Sequence, residues 1–165
     1  MKLKSFSHMN CSLAQAVEEI GERWTLLILR NAFLGSTRFE QFQKSLGIAR
    51  NILSTRLNRL VGNGIFEKRA VEGSARHEYV LTKKGMDLQP VLLSITHWGD
   101  SYKPNRKGRR VIFVERATGK PIQRMAVHNA DGQVLKPREI RAVPGPGLGA
   151  QHSAILHRNE EGTLK

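Results

Sequence analysis

Residues Arg38 to Gly64, RFEQFQKSLGIARNILSTRLNRLVGNG, constrain the fold of this chain more than any other stretch. Phe39, Phe42 and Leu46 recur at spacings of three and four, the single apolar stripe of an amphipathic helix. Gly47 then stops that helix, because glycine adopts the left-handed conformation at no steric cost, and Ile48 anchors the turn. A second helix turns Leu53, Leu57, Leu60 and Val61 inward. Asn51, Thr55, Asn58 and Arg59 face away from that stripe, Ser54 and Arg56 lie on its flanks, and Arg50 stands at the helix start. Helix, short glycine-containing turn, helix is the helix-turn-helix spacing. An apolar back with a front of Arg, Asn, Ser and Thr carries the residue types that reach base edges and phosphates in a major groove. Glycine-linked amphipathic pairs also serve as plain core elements, so the flanking sequence has to decide.

After Gly64 the period changes. Ile65–Arg69 and Glu78–Leu81 are short β-compatible runs, and the intervening Ala70–His77 includes Gly73-Ser74. The pattern predicts a hairpin wing whose tip presents Arg76 and His77 to an adjacent groove or backbone. Upstream, Ser12-Leu13-Ala14-Gln15 matches a capping box, Leu13, Ala16, Val17 and Ile20 form a stripe, and Gly21 ends that helix. Trp24–Leu34 is apolar on nearly every side except Arg30 and Asn31, which predicts a central core helix. Downstream, Thr82 is expected to cap one long helix from about Lys83 to Tyr102, with Leu88, Val91, Leu92, Ile95 and Trp98 on one stripe. The earlier helices already supply a core, so a partner subunit is the expected cover for that stripe. Packing back onto its own domain is the alternative.

Charge sharpens the partner class. The 165 residues hold 27 Lys/Arg against 14 acids, net +13, a surplus that favours polyanions. It is uneven: residues 1–102 hold 14 Lys/Arg and 9 acids, net +5, and residues 103–165 hold 13 and 5, net +8. Lys103–Arg110 is a polar, basic linker. Val111–Val114, Ile122–Val127 and Ile140–Val143 read as short strands joined in part by turns at Thr118-Gly119-Lys120 and Asn129–Gly132. Pro144–Gly149 ends the pattern, and the last residues are expected to be disordered. A single cysteine, Cys11, excludes an internal disulfide framework. No secretory signal or membrane-spanning run is visible, so a cytoplasmic location is expected.

Cys11, the run Gly21-Glu22-Arg23-Trp24-Thr25-Leu26-Leu27-Ile28-Leu29-Arg30, and then Phe39, Ile48, Leu53, Arg56-Leu57, Leu60, Gly64 and Arg69 form one spaced pattern. Glu78-Tyr79, Leu81-Thr82, Gly85, Pro90 and Trp98-Gly99 complete it. This stretch resembles the HxlR-type winged helix-turn-helix regulators, a bacterial transcription-factor family related to the MarR group. The resemblance implies a dimeric DNA-binding regulator whose first and last helices form the dimer interface, which adds Leu13 and Val17 to Leu88, Val91, Leu92, Ile95 and Trp98. It also implies a role for Cys11, since some members use a cysteine there as a redox or electrophile sensor, and a thiol beside a helix N-terminus is more reactive. The wing, Ala70–His77, is shorter than the family's and lacks its usual prolines. The residues beyond Tyr102 lie outside the family domain.

Other chemistries find little support. The six histidines are scattered without metal-ligand spacing, and neither a phosphate loop nor a nucleophile elbow is present. No enzyme activity, cofactor or metal is expected. The expected fold is mainly helical α+β: a lead-in (1–10), a winged helix-turn-helix domain with a C-terminal dimerisation helix (11–102), and a basic linker with a small β-rich extension (103–165). The expected function is a sequence-specific, dimeric regulator of transcription, a repressor on a roughly palindromic operator, open to a small-molecule or redox effector. Arg50, Asn51, Ser54 and Thr55 would read bases, Arg38, Arg56, Arg59 and Arg76 would hold phosphates, and His77 sits at the wing tip. A general nucleic-acid binder and a protein–protein adaptor are the rival readings. The tail is expected to tune DNA affinity electrostatically.

Overall fold

In the computed structural model, residues 5–74 and 76–148 are described. The chain divides into two compact units. One is Glu19–Met125, and the described part of the other comprises residues 5–18 and 126–148.

Among the described residues, six α-helices and one hairpin are formed: α1 (Ser12–Ile20), α2 (Arg23–Phe33), α3 (Phe39–Leu46), α4 (Arg50–Gly62), β1 (Phe66–Ala70), β2 (His77–Leu81), α5 (Lys83–Met86) and α6 (Gln89–Tyr102). Gly47 closes α3 at φ 61°, and its N–H donates to the Gln43 carbonyl at 3.0 Å, the left-handed stop that its position predicts. The hairpin is antiparallel with Phe66 opposite Leu81 and Ala70 opposite His77, both strands lying one residue from the expected bounds. A bridge between Arg38 and Glu78, with the Tyr79 N–H donating to the Thr37 carbonyl at 2.7 Å, lays the residues before α3 along the outer edge of β2.

The core of the larger unit is continuous. Ile28 and Leu29 of α2, Phe42 of α3, Ile48 of the turn, Leu53, Leu57 and Leu60 of α4, Ile65, Phe66 and Tyr79 form one buried cluster. Each such side chain contributes on the order of 1.5–3 kcal/mol by leaving water. Phe66 meets both Phe42 and Tyr79 edge to face, at 6.2 and 6.5 Å between centroids. Burial, with the charge of Glu40, pushes the Tyr79 phenol above its ordinary range.

Several expectations are corrected. The single long helix from Lys83 is broken between Met86 and Gln89. Pro90 sits in the first turn of α6, where it has no N–H to continue a ladder from α5 and its ring would collide with the carbonyl four residues back. Thr82 does cap α5, accepting from the Gly85 N–H at 3.2 Å. Gly85 itself admits no side chain: a Cβ would collide with the Ile65 carbonyl. The capping box at Ser12 is not formed. The Gln15 carboxamide instead donates to the Ser7 and Met9 carbonyls, at 3.2 and 2.8 Å, and stitches the lead-in to α1.

Helix α2 is not buried all round. Thr25, Ile28, Leu29 and Asn31 are buried, while Leu27 and Leu34 remain exposed. Asn31, expected as a polar interruption, is inside. Its carboxamide donates to the Ser45 hydroxyl and accepts from Nε and Nη2 of Arg30 at 3.0 and 2.8 Å, so its burial is compensated.

The strands expected after Tyr102 do not form among the described residues. Single bridges join Val114 to Pro121 and His128 to Val134. The expected turns are in place, with Gly119 at φ 69° and Gly132 at φ 79° between those bridges. Pro121 can donate no ladder bond, and an isolated two-stranded pairing is marginal in water. One 3-10 turn, Pro137–Glu139, follows.

Candidate nucleic-acid interface

The local sequence explains what α4 presents. Its Leu53, Leu57 and Leu60 are sealed in the core, which leaves Asn51, Thr55 and Asn58 on the opposite side, with Asn51 and Thr55 exposed, Ser54 half-buried at the edge, and Arg50 exposed at the helix start on the leucine side. The Arg50 guanidinium lies 5.0 Å from the Phe39 ring centroid, a cation–π contact that ties the start of α4 to the start of α3. The Thr55 hydroxyl donates to the Asn51 carbonyl at 2.9 Å, which leaves its oxygen free to accept. Ile52, one-third exposed, adds an apolar group beside these polar side chains.

The other expected residues divide. Arg38 lies just before the start of α3, 3.1 Å from the Glu78 carboxylate through Nε, with its side chain nearly half exposed. The wing tip turns through Gly73 at φ 70°, with Val71 N–H donating to the Arg76 carbonyl at 3.1 Å, and Arg76 and His77 are exposed. Lower on the wing, Arg69 hydrogen-bonds Glu67 at 2.9 Å; that contact holds the Glu67 carboxyl below its usual range and the guanidinium above its own.

Arg56 and Arg59 are placed differently. Arg56 Nη2 lies 2.7 Å from one oxygen of Glu22, and Arg59 Nη1 lies 3.5 Å from the other. Both arginines, expected at phosphates, share a carboxylate at the N-terminal end of α2. The pairing of Glu22 with these arginines escapes a sequence reading because Glu22 is thirty-four positions from Arg56 and nothing local marks it.

The expected dimer residues also separate. Leu88 and Leu92 pack against the core of their own unit, so they are not a free face. Val91, Ile95, Trp98 and Tyr102 lie outward, 43, 47, 62 and 68% exposed, at spacings of four, three and four on one stripe. The Trp98 and Tyr102 rings meet at 5.1 Å between centroids, tilted by 40°. Leu13 and Val17 of α1 are exposed, as is the Cys11 thiol before it.

The family model described as HxlR-like helix-turn-helix matches residues 19–107. The chain is similar to an uncharacterized HTH-type transcriptional regulator, Rv3095, of Mycobacterium tuberculosis (strain ATCC 25618 / H37Rv). The two are 38% identical over 141 residues, which is 85% of this chain and 89% of the relative. Among solved structures it is similar to PA1607, a candidate transcription factor, with a TM-score of 0.80 and 39% identity over 86% of this chain and all of that one. The redox regulator HypR in its reduced form is similar over 56% of this chain and 94% of its own, with a TM-score of 0.53 and 25% identity. The first two likenesses are longer than the 102 residues that precede the extension, so they run into it.

Proposed function

This chain belongs to the HxlR-like helix-turn-helix family and is a transcriptional regulator with a DNA-binding fold, not an enzyme, and from that premise we propose that it is a homodimeric repressor that reads a roughly palindromic operator through α4. The carrying observation is the polar front of α4, where Asn51 and Thr55 stand exposed opposite a sealed leucine back and Arg50 is exposed at the helix start. Arg, Asn and Thr are suited to base edges. Arg38 and the wing tip, Arg76 and His77, supply the flanking contacts to phosphate. Arg56 and Arg59 act chiefly by anchoring the reading helix to Glu22.

Two copies present two such helices, and half-sites about one helical turn apart follow from that symmetry. The outward stripe of α6 is the seam this reading requires. Binding over a promoter would exclude polymerase. Cys11, exposed and the one thiol in the sequence, is the proposed point of response to an oxidant or electrophile, in line with the redox regulation named for HypR.

Fluorescence anisotropy with DNA from upstream of the gene tests the reading. Arg50→Ala or Asn51→Ala should cost on the order of 1–3 kcal/mol at the cognate site and little on random DNA. Equal losses on both would move the assignment to a general nucleic-acid binder. No binding to either would favour the adaptor.

A further inference from the structure

The apolar side of α2 that faces away from the core is not solvent-flat. With α6 and the segment Val111–Phe113 it lines a partly open, mainly apolar cavity of about 250 Å³, with Leu27, Leu93, Phe113 and Ile95, the last also part of the outward stripe of α6, among its walls. Phe113 is set there by an edge-on contact with His97, at 6.2 Å between centroids. The lining residues that carry polar groups are few, Arg30, Gln89 and Thr96, with no acid among them. Thr96 spends its proton on the Leu92 carbonyl at 2.8 Å. Arg30 commits Nε and Nη2 to Asn31, which leaves further N–H groups of its five for a ligand.

We propose that this cavity binds a one-ring aromatic carboxylate, with the ring among the leucines and Phe113 and the carboxylate at Arg30. Size selects the class. A cavity of about 150 Å³ holds benzene, and sites for drug-sized molecules begin near 300 Å³, so 250 Å³ suits one substituted ring. Charge selects the anion, because the lining carries one cation and nothing to neutralise it. An apolar pocket with a few convergent polar groups is the usual form of a small-molecule site. The cavity joins α2, whose N-terminal end holds Arg56 of the reading helix through Glu22, to α6, whose outer stripe is the proposed seam. A ligand there is therefore placed to bias DNA binding, and by linkage DNA would bias the ligand equally. This effector role rests on the DNA-binding reading above; the binding itself does not.

The test uses the full chain, 4-isopropylbenzoate, and its uncharged counterpart p-cymene, followed by titration calorimetry at neutral pH. Both should bind. Arg30→Gln should weaken the benzoate at least tenfold and change p-cymene less than twofold, and Arg30→Lys should restore most of the benzoate affinity. Leu93→Phe, which fills the cavity and leaves Arg30 in place, should weaken both. Absence of binding by the unaltered chain overturns the proposal, as does an equal effect of Arg30→Gln on the two probes, or indifference to Leu93→Phe. Binding that appears only on dilution to monomer also overturns it, since a second copy would then be the occupant. Saturating benzoate should shift operator affinity at least threefold. No shift with intact probe binding removes the effector role, whereas failure to bind DNA under any condition counts against the DNA-binding reading and leaves the cavity assignment standing.

Discussion

The Glu22 carboxylate lies 2.7 Å from Nη2 of Arg56, with both side chains only about one-fifth exposed, and its other oxygen reaches Arg59 at 3.5 Å. One acid at the start of α2 thus engages two cations on the flank of α4. The ion pair is sheltered but not fully dry, so screening by water limits its worth. Glu22→Gln should destabilise the protein by about 1 kcal/mol in urea unfolding. It should also free positive charge beside the reading face, raising affinity for random DNA and steepening its dependence on salt. An unchanged salt slope would show that Arg56 and Arg59 do not reach phosphate even when released.

The outward stripe of α6 is separable from its inward one. Val91→Asp with Trp98→Glu should give folded monomers, or unfolded protein if the monomer has no independent stability. Light scattering and circular dichroism together distinguish these. Leu92→Asp is the contrasting change: it introduces a charge against the core and should unfold the chain outright. A folded dimer in the Val91/Trp98 double variant would place the seam elsewhere.

Cys11 is exposed beside the start of α1. If it senses oxidants, a thiol reagent should modify it faster in the native protein than after denaturation, and Cys11→Ser should abolish the change in operator affinity that oxidant produces. Because the sequence holds one cysteine, any disulfide must join two chains or capture a small thiol. Native reactivity no greater than that of the denatured chain would end the sensor assignment.

The extension carries net +8, and Lys103–Arg110 alone supplies five positive charges. Arg110 turns back on its own unit, donating to the Lys103 carbonyl at 2.9 Å and pairing with Asp100 at 3.4 Å. Ending the chain at Tyr102 should preserve operator preference and weaken binding to all DNA at low salt. The slope of log affinity against log salt should become shallower by about 0.9 for each phosphate that the extension neutralises. The melting temperature should also fall by a few degrees, because Val111 and Phe113 no longer cover the apolar side of α2 and α6. An unchanged slope would remove the electrostatic role and leave the extension as a wall of the cavity.

Much of this molecule was legible in the linear chain because its signals are local. The stripe Phe39, Phe42, Leu46, the left-handed stop at Gly47 and the leucine back of α4 depend on helical period and on one residue's conformational freedom, both set within a few positions. The same holds for the turn at Gly119, and for the wing to within one residue. What tertiary structure alone decided is where apolar and charged surplus goes. A helix apolar all round reads as buried, yet only one side of α2 meets the core and the other walls a cavity with Phe113, eighty residues beyond Phe33. The stripe of α6 reads as one face, yet Leu88 and Leu92 are claimed by their own core and Val91, Ile95 and Trp98 are not. Arg56 reads as a phosphate ligand, yet Glu22 holds it. Periodicity states which residues share a side of an element; which neighbour fills the space opposite depends on how distant elements pack, and that is a property of the assembled fold.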